Sequence, residues 1–167
     1  MKAICKVGDI FEIPLKDERK AFGQFLFLSK KGPIIQIFDL VSKRSIAVDE
    51  IITKGLLFPP VITGLYAALK DGIWKVVDNV PVINFVHPLF VSTLWNEKTG
   101  EAGIWFLWDG QKDNRIGSFL PEKYRSLEFL VVWNPKDIER RIETREVPYP
   151  YGDLIKKNRF TPRAKPG

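Results

Sequence analysis

The sequence predicts a mostly β fold of the α+β kind: a curled antiparallel sheet or a barrel, with a short C-terminal helix. Two observations predict the sheet. Runs rich in Ile, Val, Phe and Trp recur along the 167 residues, separated by turns of Gly, Pro, Asp, Asn and Ser. Their spacing gives about eight to ten short strands, with loops too brief for crossover helices. A third observation places the helix, because the strongest helix-start signal follows Asn134.

The first element is a hairpin. Ile10 to Leu15 and Ala21 to Leu28 flank the charged turn Lys16 to Lys20. Alternation puts Phe11, Ile13 and Leu15 on a core face, and Ile10, Glu12 and Pro14 on a mixed one. Gly23, inside the second run, predicts a bulge or a close backbone approach that lets this strand bend over the first. After the turn Ser29 to Pro33, Ile34 to Val41 reads as a strand, and Ile46 to Val48 extends the meander beyond the SKRS turn. Pro59 and Pro60 interrupt the next apolar run, and a proline lacks a ladder donor, so this segment is an edge strand or a crossing. Leu65 to Lys70 forms a helical turn before Asp71-Gly72.

The middle of the chain reads as strands Ile73 to Val77, Val80 to Phe85, Phe90 to Trp95, Gly103 to Trp108 and Arg115 to Phe119, joined by turns such as NEKTG and Asp109-Gly110. Glu128 to Trp133 is the last. Pro135 at a first helical position and Asp137 near the positive end of the dipole start a helix that runs to about Thr144. Ile138 and Ile142 supply its buried stripe, with Glu139, Arg140, Arg141, Glu143 and Arg145 solvated.

Residues 1–152 read as a single β domain and 153–167 as a basic, poorly packed tail. The tail holds five basic residues (Lys156, Lys157, Arg159, Arg163, Lys165) against Asp153, which accounts for most of the net charge of +6. The single cysteine, Cys5, forms no internal disulfide, and this favours a reducing, cytoplasmic setting. The apolar runs are too short or too broken by Pro and Gly to span a membrane.

The chemistry-bearing residues are few. The single histidine, His87, sits in FVHPLF and reads as a hydrogen-bonded structural residue; with Cys5 isolated in sequence, no metal site or catalytic pair is indicated. No phosphate-cradling glycine loop, nucleophile elbow or dinucleotide fingerprint is present, and no cofactor is expected. The remaining signal is aromatic. Trp95, Trp105, Trp108 and Phe106 cluster around NEKTG with Lys98, Lys112 and Arg115 nearby, and alternation puts a large ring on both faces of the Gly103 to Trp108 strand. Such a sheet is either buried on both sides or offers one face to a protein partner or to single-stranded nucleic acid. Trp95, Trp108, Asp109 and Lys112 are the candidate partner-binding residues.

The opening KVGDIFEIPLKDERKAFGQFLF resembles the start of the immunity protein 26 family of bacterial polymorphic toxin systems: a glycine-acid pair, a strand ending in Ile-Pro-Leu, a charged turn, then an aromatic-glycine strand. DGIWKVVDNVPV resembles the family's middle segment, and RIGSFLPEKYRSLEFLVVW its closing strands. Glu18-Arg19 and Asp78 stand where that pattern commonly has glycine. The resemblance implies a non-enzymatic β protein that binds a cognate toxin and occludes its active site, with no catalytic residues to carry over. VGDIFEIPL is also similar to the first strand of the small barrel ribonuclease toxins of toxin-antitoxin modules, which implies an SH3-like barrel as a fold analogy alone. The alternative class is a single-stranded nucleic-acid-binding module that uses the aromatic strands and the basic tail.

Overall fold

A computed structural model describes residues 4–148 and 151–153; the basic tail beyond Asp153 lies outside the described residues. In chain order the strands are β1 (Asp9–Pro14), β2 (Lys20–Ser29), β3 (Gly32–Ser42), β4 (Leu56–Thr63), β5 (Lys75–Asn79), β6 (Phe90–Asn96), β7 (Glu101–Trp108), β8 (Asp113–Gly117) and β9 (Val132–Trp133). The α-helices are α1 (Val48–Ile51), α2 (Leu65–Lys70) and α3 (Pro135–Thr144). The residues form two compact units: the chain through Val86 with Val131–Arg145, and His87–Leu130 with the described residues from Glu146 on.

The first unit is a six-stranded sheet ordered β5-β1-β2-β3-β4-β9, antiparallel except for the parallel β4–β9 pair. It is mostly β and curled, as the sequence predicts, but it is an open sheet with edges β5 and β9, so the SH3-like barrel is corrected. Closure fails where the chain returns late: β9 is two residues long and meets β4 only at Ile62 and Thr63. Pro59 and Pro60 lie in β4 before that pairing begins, on a stretch bonded to β3 alone, which is where a residue without an N–H is tolerated.

β1 is an interior strand, and Ile10, Phe11 and Ile13 are all fully buried. The expectation of one mixed face is corrected for Ile10, which packs with Phe22, Phe38 and Ile51; α1 brings Ile51 onto that face. The strand expected at Ile46 to Val48 is not formed: the chain is irregular there until Ala47 caps this helix, and Asp49 and Glu50 sit in its first turn, where the dipole favours acids. Gly23 meets its expectation. The β2–β3 register shifts beside it, and an added Cβ would fall 2.6 Å from the Phe11 ring. Phe11 in turn stacks on Trp74 at 5.4 Å.

α3 begins as predicted: Asn134 caps it by accepting from the Lys136 N–H at 2.9 Å, and Pro135 occupies its first turn. Ile138 and Ile142 are buried, but so is Arg141, against expectation. Its guanidinium lies 4.1 Å from the Phe58 ring centre and 5.8 Å from that of Trp133, so a long cationic side chain is taken in by aromatic faces.

The second unit is a three-stranded antiparallel meander, β6-β7-β8. Phe90, Val91, Ala102, Trp105, Leu107, Trp108, Leu120 and Phe129 form its buried hydrophobic set among the described residues. The expected strand at Glu128 to Trp133 is divided between the units. Glu128 and Leu130 bond through their backbones to Val91 in the second, while Val132 and Thr63's partner Trp133 belong to the sheet of the first.

Candidate functional site

The β7–β8 loop holds two of the four residues singled out from sequence, Asp109 and Lys112, and Trp108 ends the strand that leads into it. The Asp109 carboxylate accepts from the backbone N–H groups of Gln111 at 2.8 Å and Lys112 at 3.0 Å, and from the Asn114 side-chain amide at 3.1 Å. These donors, the Lys112 N–H foremost, hold its pKa down at about 2. The carboxylate is thus committed to shaping its own turn. Trp108, at the end of β7, is 2% exposed, with its ring 4.9 Å from that of His87 and 6.0 Å from that of Phe90. Lys112 is exposed at the tip of the loop. Trp95 is half-buried and does not join them: Phe90 pairs with Trp108 whereas Trp95 pairs with Ala102, which separates the two ends of the ladder by about 17 Å.

His87 and Cys5 are held in ways that suit structure. The Pro88 carbonyl can only accept, so the 2.7 Å contact to His87 Nδ1 places the proton of the neutral ring there. The ring also closes onto Gly110, whose φ of 97° and lack of a side chain permit the approach; an added Cβ would sit 2.7 Å from it. Burial, reinforced by Asp9, pushes the Cys5 thiol up to about 11, which keeps it protonated and non-nucleophilic at neutral pH. Among the described residues, no three His, Cys, Asp or Glu converge as a metal site would require.

Two concavities mark the first unit. The larger, about 700 Å³, lies between the β1–β2 turn and α3, lined by Lys16, Lys136, Glu139, Arg140 and Glu143 among others. Both of its acids serve the fold: Glu139 accepts from Trp74 Nε1 at 3.1 Å, and Glu143 accepts from the Lys16 N–H at 2.8 Å and the Arg19 guanidinium at 3.3 Å. Those last bonds fix a turn in which Asp17 and Glu18 both have positive φ.

The smaller, a groove of about 410 Å³, has Gln24 and Gln36 among its lining, and the segment from Val80 to Val86 runs along it. Gln36 donates to the Gln24 side chain at 2.9 Å, and Gln24 donates to the Val80 carbonyl at 2.9 Å. Asn84 takes a left-handed φ of 54°, which breaks the alternation and turns Ile83 and Val86 outward, 78% and 83% exposed. Phe85 stacks on Phe27 at 4.9 Å. The strand expected at Val80 to Phe85 is therefore corrected to an irregular strap. Sequence reasoning missed this groove, because VPVINF satisfies an apolar strand pattern; the available signal was Asn84, a residue type that tolerates left-handed backbone, following Pro81.

The sequence model of the family described as immunity protein 26 matches residues 6–98. No curated protein and no solved structure matches the chain. The matched stretch runs from the residues before β1 through β6, and so takes in all of the groove and Trp95 but not Trp108, Asp109 or Lys112. It includes the first two of the three segments in which the sequence resembles this family, and Arg115 to Trp133 lies beyond it. Covering more than half of the chain, the match shows that the protein belongs to the immunity protein 26 family.

Proposed function

We propose that this protein binds a cognate bacterial toxin in the cytoplasm and neutralises it by occluding the toxin's active site, acting by binding and not by catalysis. The observation that carries this reading is the family match over residues 6–98, since an immunity protein implies a toxin partner. The protonated Cys5 thiol and the packing of His87 against Gly110 and Trp108 agree with it. Occlusion asks for a rigid surface with a few buried anchors in a polar setting. The hairpin residues enter the proposal in two roles. Trp95 and Lys112 are contacts open to solvent, and Trp108 and Asp109 hold the hairpin that carries them.

Growth rescue tests the reading. Co-expression with the toxin encoded by the adjoining reading frame is expected to restore growth, and the purified pair is expected to co-elute. Continued killing at matched expression, or a salt-sensitive shift of single-stranded RNA by this protein without toxin binding, overturns it in favour of a nucleic-acid-binding module.

A further inference from the structure

We propose that the uncharged groove between the Gln24–Gln36 pair and the Val80–Val86 strap is the toxin-docking surface, and that it takes an uncharged, apolar segment of the toxin, with Ile83 and Val86 as the anchors. This rests on the reading of the protein as a toxin-binding immunity protein. Four observations carry it. Ile83 and Val86 are the two most exposed large apolar side chains among the described residues, and both line the same groove, with Ile52, itself 41% exposed, as a third. An apolar patch left open on an ordered surface marks an interaction site.

The strap is built. Gln24 ties its start at the Val80 carbonyl, Asn84 sets its turn, and the Phe27–Phe85 stack pins its far end, so little ordering remains to be done on binding. The chemistry of the lining then selects the occupant. None of the described residues lining the groove is charged, in a chain that is 28% charged, so the groove has no cation for a phosphate and nothing to repay the burial of a partner's charge. Amide side chains and apolar walls match a neutral apolar segment of a protein. Finally, the whole groove falls within the residues that place the chain in its family, and most of the β6–β8 meander does not.

The test uses the full chain and the toxin domain from the adjoining reading frame, inactivated by substitution, with affinity measured by calorimetry. The Ile83→Glu/Val86→Glu double variant is expected to weaken binding about 30-fold or more, the scale of a hot-spot loss, with an unchanged melting temperature because both positions face solvent. Lys43→Ala/Lys70→Ala, at exposed positions that line no part of the groove, is expected to stay within about threefold. If the charged variant unfolds, Ile83→Ser/Val86→Thr replaces it, with a loss of about tenfold or more expected for the shorter, uncharged truncation. Wild-type binding with the groove variants within about threefold of it overturns the groove alone. Absence of wild-type binding overturns the toxin reading and the groove with it. Loss of self-association or of single-stranded RNA binding in the groove variant, with toxin affinity intact, reassigns the groove to a second copy or to nucleic acid and also overturns the proposal.

Discussion

The two units draw on aliphatic and aromatic side chains in different proportions: the first also buries rings such as Phe11, Phe25 and Trp74, but its aliphatic side chains outnumber them. The first has enough strands to bury aliphatic side chains: Ile10, Ile13, Ile34, Ile35, Ile37 and Ile62 are all fully covered. The second has three short strands, and fills its interior with rings, Phe90, Trp105, Trp108 and Phe129. A large ring removes more area from water than an aliphatic side chain, so a small sheet needs rings to make a core at all. The aromatic density of the β6–β8 segment therefore reports a scarcity of strands, while Ile83 and Val86, the most exposed apolar side chains of the first unit, sit on a segment that belongs to no strand. Aromatic clustering and the most exposed apolar side chains are separate signals here: the rings are densest in the second unit, and the two most exposed apolar side chains lie on the strap of the first.

The largest test of this contrast removes one ring from each core. Trp74→Ala and Trp105→Ala are each expected to cost about 3–5 kcal/mol in urea unfolding, the range for a buried tryptophan truncated in place. Trp74 is 1% exposed, stacks on Phe11 and donates to Glu139, so its replacement also removes a donor from the Glu139 carboxylate, which keeps Lys136. Trp105 is 3% exposed and meets Phe129 edge-on at 6.1 Å. A loss below about 1 kcal/mol for Trp105→Ala would be that of a surface residue and would return the aromatic strands to the role of an open face.

Next in size are two glycines on which a ring rests, one in each unit. Gly23→Ala drives a methyl into the Phe11 ring, and Gly110→Ala drives one into His87 while also forcing an alanine to a φ of 97°. Each is expected to cost about 1–3 kcal/mol, with Gly110→Ala the larger because strain adds to overlap. A second substitution separates the terms. Phe11→Leu with Gly23→Ala is expected to be less destabilising than the sum of the two, since the clash is the main term there. His87→Ala with Gly110→Ala leaves the backbone strain, so less of its penalty is recovered. Additive effects at Gly23 would mean that the Phe11 ring does not rest on it.

Much of this was legible in the sequence, for local reasons. The opening hairpin, the bulge at Gly23, the prolines of β4 and the cap of α3 are each set by residues within a few positions of one another. What escaped depends on distant chain. Ile10 is buried on its second face because α1 carries Ile51 over it, and Arg141 is buried because Phe58 and Trp133 offer it ring faces. The open sheet follows from how little of Glu128 to Trp133 reaches β4. Of the four partner-binding candidates, Asp109 and Lys112 lie in the β7–β8 loop with Trp108 at the end of β7 beside it, and Trp95 lies apart on β6. Alternation could not tell that Trp108 faces His87 and Phe90, because both faces of β7 carry a ring. The groove was hidden for a related reason: a strap and a strand share an apolar pattern until one residue takes a positive φ.

The smallest expected effect concerns the loop that closes the second unit. Asp109 lies well below its ordinary carboxylate value of 3.8, at about 2, because two backbone N–H groups and the Asn114 amide bind its charged form in the folded chain. A group with a lowered folded pKa contributes stability that is fully present above its unfolded pKa and is lost as pH falls through the folded one. The window is therefore from about 4 down to about 2. Asp109→Asn keeps an acceptor oxygen for the turn but has no charge to titrate, so its melting temperature is expected to lie slightly below that of wild type at pH 7 and to converge on it across that window. A constant difference from pH 7 to pH 2 would mean that the loop is held by the geometry of the Asx turn alone. Convergence would show that the charge of Asp109 is spent inside its own loop. Lys112 would then be the member of that loop with a charge left to offer a partner.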